Sequence, residues 1–342
     1  MNSKGYVLVT GGAGYIGSHT FVELVKAGYT PVILDDFRNS NRIVIEGLRR
    51  ITDTEPIIAE VDVCSADVRD LFKTYSFAGI IHFAAYKAVG ESVKEPLKYY
   101  KNNIGGLVNI LLLAEEFKVR SFVFSSSCTV YGEPGDVKEV DEHMPVAKAN
   151  SPYGNTKIIG EQIITDLYQT NPEFRMMSLR YFNPIGAHPS GEIGEYPIGR
   201  PNNLLPFITQ TAIGKQDSLT VFGNDYPTPD GTCIRDYIHV CDLAMAHVKA
   251  LDYLIGLHEG CNEFVNVGTG KGTSVLELIK AFESMSAMKL NWAFGPRRAG
   301  DVTEIYANAE RSRQLLKWNS TFTIEDAVRD AWRWEKNLAQ HV

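Results

Sequence analysis

Short apolar segments alternate with longer segments of helical periodicity over the first 180 residues of the chain. The apolar runs lie at 6–10, 31–36, 56–62, 79–85, 121–127 and 176–183. The segments between them, such as 96–118, carry apolar residues at helical spacing. Buried strands separated by helices predict a parallel sheet that is covered on both faces. We therefore expect an α/β fold with a Rossmann-like doubly wound sheet, whose ligands bind beyond the carboxyl ends of the strands.

The composition of the chain changes after Asn183. Residues 184–232 are rich in Gly, Pro and Asn, which predicts a loop-dominated lobe rather than a second α/β unit. A strand and helix are predicted at about 233–256, and we expect this segment to return to the first sheet. The sequence therefore predicts a nucleotide-binding Rossmann-like domain at 1–183 and a smaller C-terminal substrate-binding lobe at 184–342.

Composition and charge narrow the classes of function. The 342 residues carry a formal net charge of −7 and no dense run of Lys and Arg, which argues against a nucleic-acid partner. The longest apolar run, at 107–114, is too short to span a membrane, and the first residues show no secretion signal. The five scattered cysteines and eight histidines form no common metal-binding spacing, so we expect no metal, reduced thiols and a cytoplasmic location.

The sequence TGGAGYIG connects the first predicted strand to the first helix. Its Gly11, Gly14 and Gly17 differ slightly in spacing from the standard dinucleotide motif, but they allow the same tight turn and close approach of a pyrophosphate to a helix N-terminus. The second strand ends in Asp35 and Asp36, where a carboxylate can bond a ribose 2′-hydroxyl and repel the extra phosphate of NADP. We therefore predict NAD as the cofactor.

Two features of this region leave alternatives open. Arg38 could counter the repulsion of a 2′-phosphate, or it could be an ordinary surface charge. Asp62 and Val63, at the end of the third strand, are placed to flank the adenine, but Asp62 could equally cap the following helix.

Tyr153 and Lys157 follow a Ser-Pro helix start and are four residues apart, so they share one face of the helix. An unperturbed Tyr is ionised about one part in a thousand at pH 7, a deficit of roughly 4 kcal/mol for a base. Lys157 and the positive nicotinamide ring of NAD could each lower the pKa of Tyr153 by favouring the phenolate. The pair therefore predicts a base that takes a proton from an alcohol during hydride transfer, with Ser127 bonding the same hydroxyl. The alternative is a surface Tyr beside a solvated Lys.

The glycine motif, the Ser-Tyr-Lys trio and the lobe that follows resemble the extended short-chain dehydrogenase/reductase superfamily. Within it, the chain is similar to the UDP-glucose 4-epimerases from about Tyr6 to Trp334. Nine stretches carry the resemblance in order: TGGAGYIGSHT, HFAAYKAVGESV, FSSSCTVYG, SPYGNTK, LRYFNPIGAHPSG, PNNLLPF, VFGNDYPTPDGT, RDYIHV and RRAGDV. At Ala299 the chain departs from the family, which often has Glu, so a local salt bridge of the family is in doubt here.

The resemblance implies a role for each site residue. Tyr153 would be the base. Lys157 would lower the pKa of Tyr153 and bind the nicotinamide ribose, and Ser127 would orient or shuttle the proton. Together with the motifs above, it places these residues along NAD: Gly11, Gly14, Tyr15, Ile16, Gly17, Asp35, Asp36, Asn39, Ser40, Asp62, Val63, Phe83, Ala84, Lys87, Asn102, Ser127, Tyr153, Lys157 and Phe182, with Tyr181 near the nicotinamide. It places these residues along the UDP-sugar: Lys87, Ser127, Tyr153, Asn183, Asn203, Leu204, Phe222, Arg235, Arg298, Asp301 and Ile305.

Two of these assignments have alternatives. Arg235, expected with Arg298 to hold the pyrophosphate, could instead pair with Asp236. Ile305 would line the pocket near the substituent on C2 and admit an N-acetyl group weakly, or it could pack inside the C-terminal lobe and never meet the sugar.

The implied reaction is the reversible 4-epimerisation of UDP-glucose and UDP-galactose in galactose metabolism, through a 4-keto intermediate and with bound NAD as transient hydride acceptor. The resemblance also implies a homodimer paired through helices at 96–118 and 153–170. The alternatives are a UDP-glucuronate or UDP-N-acetylglucosamine 4-epimerase, or a non-catalytic NAD-dependent sensor on the same fold. A 4,6-dehydratase is disfavoured, because its acidic pair after the fifth strand is replaced by Cys128 and Thr129.

Overall fold

The computed structural model describes residues 3–298 and 300–341, so Ala299 lies outside the described residues. The strands of this part of the chain are β1 (Tyr6–Thr10), β2 (Thr30–Leu34), β3 (Ile57–Ala59), β4 (Phe77–His82), β5 (Ser121–Ser125), β6 (Glu139–Val140), β7 (Arg175–Tyr181), β8 (Asn183–Ile185), β9 (Leu219–Phe222), β10 (Ile234–Arg235), β11 (Tyr237–His239), β12 (Cys261–Val267), β13 (Thr273–Ser274), β14 (Trp292–Gly295) and β15 (Glu304–Ala307).

The α-helices of the described residues are α1 (Tyr15–Lys26), α2 (Ile43–Thr52), α3 (Val68–Thr74), α4 (Val89–Lys94), α5 (Pro96–Tyr99), α6 (Gly105–Glu116), α7 (Pro152–Thr170), α8 (Leu204–Ala212), α9 (Val240–Gly256), α10 (Val275–Ser286), α11 (Glu310–Leu316) and α12 (Ile324–His341). A π-helical turn at Tyr100–Ile104 joins α5 to α6, and a 3₁₀ turn at Cys128–Tyr131 follows β5.

The central sheet has seven parallel strands in the order β12-β7-β5-β4-β1-β2-β3. The six apolar runs predicted as strands are all in it, and the predicted α/β, Rossmann-like fold is confirmed. The direction of winding reverses between β1 and β4. Because the loops that leave these two strands diverge, they open a crevice at the carboxyl edge of the sheet, where such folds bind their ligands.

Both faces of the sheet are covered by helices, which explains why its strands are apolar without alternation. On one face, α3, α6 and α7 pack over a cluster that includes Leu8, Ile80 and Phe122. On the other face, α1, α9 and α11 pack over Val7, Ile81 and their neighbours. These side chains are fully buried.

The chain crosses the predicted division at 183/184 more than once. Helix α9 packs against α1 and against the sheet, in the segment predicted to return to the first domain. The strand before it, β11, pairs with β8 outside the central sheet. Strand β12, beyond the predicted 233–256 segment, adds the seventh strand beside β7. The remaining C-terminal residues form small sheets and a separate core around α8, α10 and α12.

A buried carboxylate on α9 fixes the chain that leads into the C-terminal helix α12. Asp242 has no exposed surface. It accepts hydrogen bonds from the backbone N–H of Thr321 and Phe322 and from the Thr321 hydroxyl, each at 2.9 Å. The helix that covers the central sheet is therefore tied directly to the C-terminal segment.

We expect Asp242→Ala to destabilise the fold, because it leaves buried N–H groups without an acceptor. An unsatisfied buried donor costs about 1–3 kcal/mol, so a loss of roughly 3 kcal/mol and a fall in Tm of several degrees is expected. Thermal unfolding of the variant measures this. Asp252→Ala, on the same helix but with a side chain that is 35% exposed, is the control and should cost less. Equal Tm values for the two variants would contradict the role given to Asp242.

In the described residues, no helix combines the length and hydropathy that crossing a membrane requires.

Candidate active site

The glycine turn after β1 forms the floor of the crevice. Gly11 has φ = +67°, in the left-handed region that favours glycine. A Cβ on Gly17 would lie 2.3 Å from the carbonyl oxygen of Gly11, so no larger residue fits there. The turn therefore brings bare backbone to the N-terminus of α1, which begins at Tyr15. This is the cradle that a pyrophosphate requires.

Asp35, at the end of β2, braces this turn. Its carboxylate accepts hydrogen bonds from the Ala13 N–H at 3.0 Å, the Phe37 N–H at 2.9 Å and the Ser40 hydroxyl at 2.8 Å. Burial raises the pKa of Asp35, and these hydrogen bonds oppose the rise. The carboxylate is thus held in place at the rim where the sequence predicts a ribose contact.

Arg38 is paired with two carboxylates. Its guanidinium lies 2.6 Å from Asp36 and also contacts Asp62. Asp62 in addition accepts the Cys64 N–H at 2.8 Å, which caps the turn after β3. Because Arg38 is neutralised within the chain, it does not offer a free cation to a 2′-phosphate. This pairing favours NAD over NADP.

Most of the residues predicted to contact NAD line one cleft, which extends from the glycine turn to Tyr153. Its empty volume is about 1550 Å³, part of it open to solvent. The predicted residues on its walls are Gly11, Gly14, Tyr15, Ile16, Gly17, Asp35, Asp36, Asn39, Ser40, Val63, Phe83, Ala84, Lys87, Asn102, Tyr153 and Lys157. Asp62, Ser127 and Phe182 are not among the residues that line it.

Helix α7 carries Tyr153 and Lys157 into this cleft. Ser151 caps the helix by accepting the Gly154 N–H at 3.2 Å, and Pro152 occupies its first turn. Tyr153 and Lys157 are 9% and 5% exposed, so neither is the solvated surface residue of the alternative interpretation. The Lys157 ammonium lies 5.9 Å from the centre of the Tyr153 ring and donates a 2.6 Å hydrogen bond to the Ser125 carbonyl.

Burial shifts the pKa values of the two side chains in opposite directions. Burial raises the pKa of Tyr153, the neighbouring Tyr181 adds to the rise, and a hydrogen bond with Ser127 opposes it. Burial lowers the pKa of Lys157 to about 8, while Glu161 opposes this shift. In the protein by itself Tyr153 is therefore less ionised near neutral pH than a free phenol, the opposite of the direction predicted for the NAD-bound site. The rise must be offset by positive charge before Tyr153 can act near pH 7.

A buried ion pair lies one helical turn after Lys157, and its carboxylate opposes the fall in the pKa of Lys157. Arg180 on β7 makes two hydrogen bonds to Glu161 on α7, at 2.8 and 2.9 Å, and both side chains are 5% exposed. Ser126 donates a further 2.6 Å hydrogen bond to Glu161. This pair was not predicted, although Glu161 lies four residues after Lys157 and so shares its helix face.

The residues predicted to hold the UDP end lie on the C-terminal lobe. Asp301 accepts a 2.9 Å hydrogen bond from Arg298 and lies 3.7 Å from Arg235. Arg235 thus pairs with Asp301 rather than with Asp236, whose carboxylate accepts hydrogen bonds from Thr269 and from backbone N–H groups.

The other predicted substrate residues differ in exposure. Phe222 ends β9 and is 44% exposed, whereas Ile305 is 5% exposed and packs with Phe182 and Tyr131. Asn203 lines the cleft and precedes α8, which begins at Leu204, and Asn183 begins β8. In the described residues no cluster of three or more His, Cys, Asp and Glu side chains is arranged to hold a metal.

One wall of the cleft was missed in the sequence. This wall is formed by residues 194–198, Arg200, Asn202 and Asn203. Of these residues, the sequence predicted only Asn203. The segment lies in the Gly- and Pro-rich region that predicts loops, so its composition gives no signal of what it contacts. Its Glu195 bonds both Lys87 and Asn203.

Comparisons with known proteins agree along the whole chain. The family model described as GDP-mannose 4,6 dehydratase matches residues 8–331. The UDP-glucose 4-epimerase of Dictyostelium discoideum is 48% identical over 96% of this chain and 95% of its own length. The crystal structure of UDP-glucose-4-epimerase from Stenotrophomonas maltophila with bound NAD and formylated UDP-arabinopyranose has a TM-score of 0.95 at 43% identity, over 99% of this chain and 100% of that one. The enzyme from Bifidobacterium longum in complex with NAD+ and UDP has a TM-score of 0.94 at 39% identity, over 98% and 100%.

The buried ammonium predicts an unusual response to Lys157→Met. The pKa of about 8 in the folded protein lies below the ordinary lysine value of 10.5. The unfolded chain therefore binds more protons between these pH values, and wild-type stability rises with pH across that window. Below pH 8 the buried charge costs roughly 3 kcal/mol. In nucleotide-free protein we expect Lys157→Met to gain stability relative to wild type at pH 7, and to lose that gain as the pH rises from 8 to 10.

Thermal or urea unfolding at several pH values measures this difference. Lys289→Met, at a side chain that is 92% exposed, is the control and should track the wild type at every pH. A stability difference between Lys157→Met and wild type that stays constant from pH 7 to 10 would show that Lys157 is not a buried charge.

Proposed function

The chain belongs to the UDP-glucose 4-epimerases, within the broader family whose model is described as GDP-mannose 4,6 dehydratase, and we propose that Tyr153, Lys157 and Ser127 carry out its chemistry. The family resemblance read from the sequence is confirmed. The protein is an NAD-dependent enzyme that interconverts UDP-glucose and UDP-galactose at C4. The observation that carries our assignment is a buried Tyr153 beside the buried ammonium of Lys157, at the end of the nucleotide cleft.

The cleft fits NAD. The glycine turn leaves room for a pyrophosphate at the N-terminus of α1, and Asp35 stands where a ribose hydroxyl would be bonded. Bound NAD would supply a reversible hydride acceptor and the positive charge of its oxidised nicotinamide. The chain supplies the binding surface, to which Phe83 and Ala84 after β4 and Tyr196 and Pro197 of the C-terminal lobe contribute.

Tyr153 moves the proton of the 4-hydroxyl. Lys157 favours the phenolate through its charge, and Ser127 favours it through a hydrogen bond that lowers the pKa of Tyr153. The phenolate takes the hydroxyl proton as the C4–H bond breaks, which leaves a 4-keto sugar. The same Tyr153 then returns the proton to the new 4-hydroxyl, so the reaction is neutral in both protons and electrons.

The positions that follow Ser127 argue against dehydration. A dehydratase needs an acid and a base there to work on C5 and C6. Burial raises the pKa of the Cys128 thiol to about 12, so it stays protonated. The Thr129 hydroxyl is buried and has no hydrogen-bond partner among the described residues. Neither group can exchange a proton with a sugar at neutral pH, which supports epimerisation.

We propose that residues 184–342 hold the UDP-sugar while residues 1–183 hold NAD. The Arg235–Asp301–Arg298 cluster offers two guanidinium groups, which suit a diphosphate. Asp301 is paired with both guanidinium groups. A bound diphosphate would replace it as their partner, and Asp301 would then be free to bond a ribose. Binding energy placed at the UDP end leaves the hexose able to turn, as the return of hydride to the opposite face requires.

We also propose a homodimer. On the helices that the resemblance pairs, at 96–118 and 153–170, Leu107, Ile110, Leu111 and Ile164 are buried within the chain, but Leu112 is 60% exposed. Further apolar side chains are exposed on α4, α5 and α6, with Val93 62%, Leu97 80% and Val108 37% exposed. Exposed apolar side chains on successive helices support a protein–protein interface there.

The state of the thiols supports a cytoplasmic location. All five cysteines are free. Burial raises the pKa of the thiols of Cys128, Cys241 and Cys261, which keeps them protonated and unreactive. Free thiols are the normal state in a reducing compartment.

We expect purified protein to convert UDP-galactose into UDP-glucose without added cofactor, and Tyr153→Phe to lower kcat by about 10²–10⁴-fold through loss of the base. Nucleotide released on denaturation should stay at the wild-type level. Tyr168→Phe, on the same helix with a hydroxyl bonded to Gly260, is the control and should stay active. Near-normal turnover by Tyr153→Phe would show that another residue is the base. An inactive wild type would contradict the assignment of the function.

For the homodimer, we expect Leu112→Glu to yield a monomer, because a carboxylate would have to be buried between two apolar helices. Light scattering at micromolar concentration gives the mass. Val146→Glu places the same charge on another apolar residue, 43% exposed and outside these helices, and should remain a dimer. A wild-type monomer, or an unchanged mass for Leu112→Glu, would refute this interface.

A further inference from the structure

The wall of the cleft that the sequence did not reveal carries a buried acid. Residues of the segment 194–203 line the cleft together with the loop that follows β4, which includes Lys87. Glu195, at the start of this segment, lines the cleft with a side chain only 11% exposed. It has no place in the proton transfer assigned to Tyr153, yet a buried carboxylate must be satisfied by specific partners.

One oxygen of Glu195 joins the two walls. The Oε1 atom accepts hydrogen bonds from Lys87 Nζ at 2.9 Å and from Asn203 Nδ2 at 2.6 Å. Lys87 follows β4 in the first domain and Asn203 precedes α8 in the C-terminal lobe. We call these three side chains the Glu195 bridge.

The backbone at the bridge is held in place. The Glu195 carbonyl accepts a hydrogen bond from Trp334 Nε1 at 3.0 Å, from helix α12. A Cβ on Gly194 would lie 2.4 Å from Trp334, so only glycine allows this indole to pack so closely. The main chain at Glu195 is therefore fixed by the fold, and its carboxylate is oriented by Lys87 and Asn203.

We propose that Glu195 is a positioning residue that couples the retention of NAD to the binding of the UDP-sugar. The inference rests on the proposed function and on the placement that the family resemblance implies, in which Lys87 contacts both ligands and Asn203 contacts the sugar nucleotide. A ligand that orders Asn203 also orders the shared carboxylate, and this carboxylate holds Lys87 over the dinucleotide. Binding of either ligand therefore favours formation of the Glu195 bridge, which in turn favours binding of the other ligand, and the coupling is reciprocal.

The size of the effect follows from the exposure of the pair. Lys87 is 51% exposed, so solvent weakens its attraction to Glu195. The short bond from Asn203 is charge-assisted and better protected. We expect loss of the bridge to change nucleotide exchange by about three- to tenfold rather than to abolish binding.

The test measures exchange of bound NAD for isotopically labelled NAD, with and without UDP, by filtration. In wild type we expect UDP to slow exchange. In Glu195→Ala exchange should be faster by about three- to tenfold, and the effect of UDP should largely disappear. Glu192→Gln is the matched control: this residue lies on the same segment and pairs with Arg50 of α2 at 2.6 Å, outside the cleft, so UDP should act as in wild type.

Glu195→Gln separates the two contacts and replaces the alanine variant if that one fails to fold. The amide oxygen of the new side chain can still accept a hydrogen bond from Asn203, but the neutral amide cannot form an ion pair with Lys87. We expect faster NAD exchange with a KM for UDP-galactose close to that of wild type. The proposal is overturned if UDP does not slow exchange in wild type, or if both Glu195 variants respond to UDP as Glu192→Gln does. If wild type holds no NAD at all, the proposed function itself fails.

Discussion

The burial of the Lys157 ammonium is the constraint on which the active site depends. A charge in the interior needs compensation, and the fold supplies it from two elements. The Ser125 carbonyl at the end of β5 accepts its hydrogen bond, and Glu161 on α7 opposes the loss of its proton. Glu161 is itself neutralised by Arg180 of β7. Strands β5 and β7 and helix α7 are therefore held together by the same interactions that keep Lys157 charged.

This arrangement explains why the fold alone does not activate Tyr153. Burial raises the pKa of Tyr153, so a lone phenol in this cleft would be inert. The hydrogen bond with Ser127 opposes part of this rise, and the positive charges of Lys157 and of the nicotinamide ring would have to supply the rest. The activity of the site therefore depends on its cofactor. Without NAD, the site contains a buried ammonium that destabilises the fold and a phenol that stays protonated near neutral pH. With NAD, the added positive charge would favour ionisation of the phenol.

The sequence predicted what depends on local pattern. The buried strands, the glycine turn and the Tyr153–Lys157 pair follow from periodicity and spacing, and the structure brings them to one cleft. Contacts between distant segments were not predictable in this way. Nothing local identifies β12 as the seventh strand, or Glu195 as the acid between the two walls. Arg235 illustrates the same limit, because its sequence neighbour Asp236 is already engaged by backbone N–H groups and its partner is Asp301.

The central claim is that positive charge in the cleft brings the Tyr153 phenol near neutral pH. Ultraviolet difference titration of the NAD-loaded protein measures it directly, with the spectrum of Tyr153→Phe subtracted to isolate one tyrosine among the sixteen. The account predicts a tyrosinate that forms near pH 7 in wild type and only at distinctly higher pH in Lys157→Met. A Tyr153 signal that stays protonated beyond pH 10 in the NAD-loaded wild type, or that titrates identically in Lys157→Met, would contradict it.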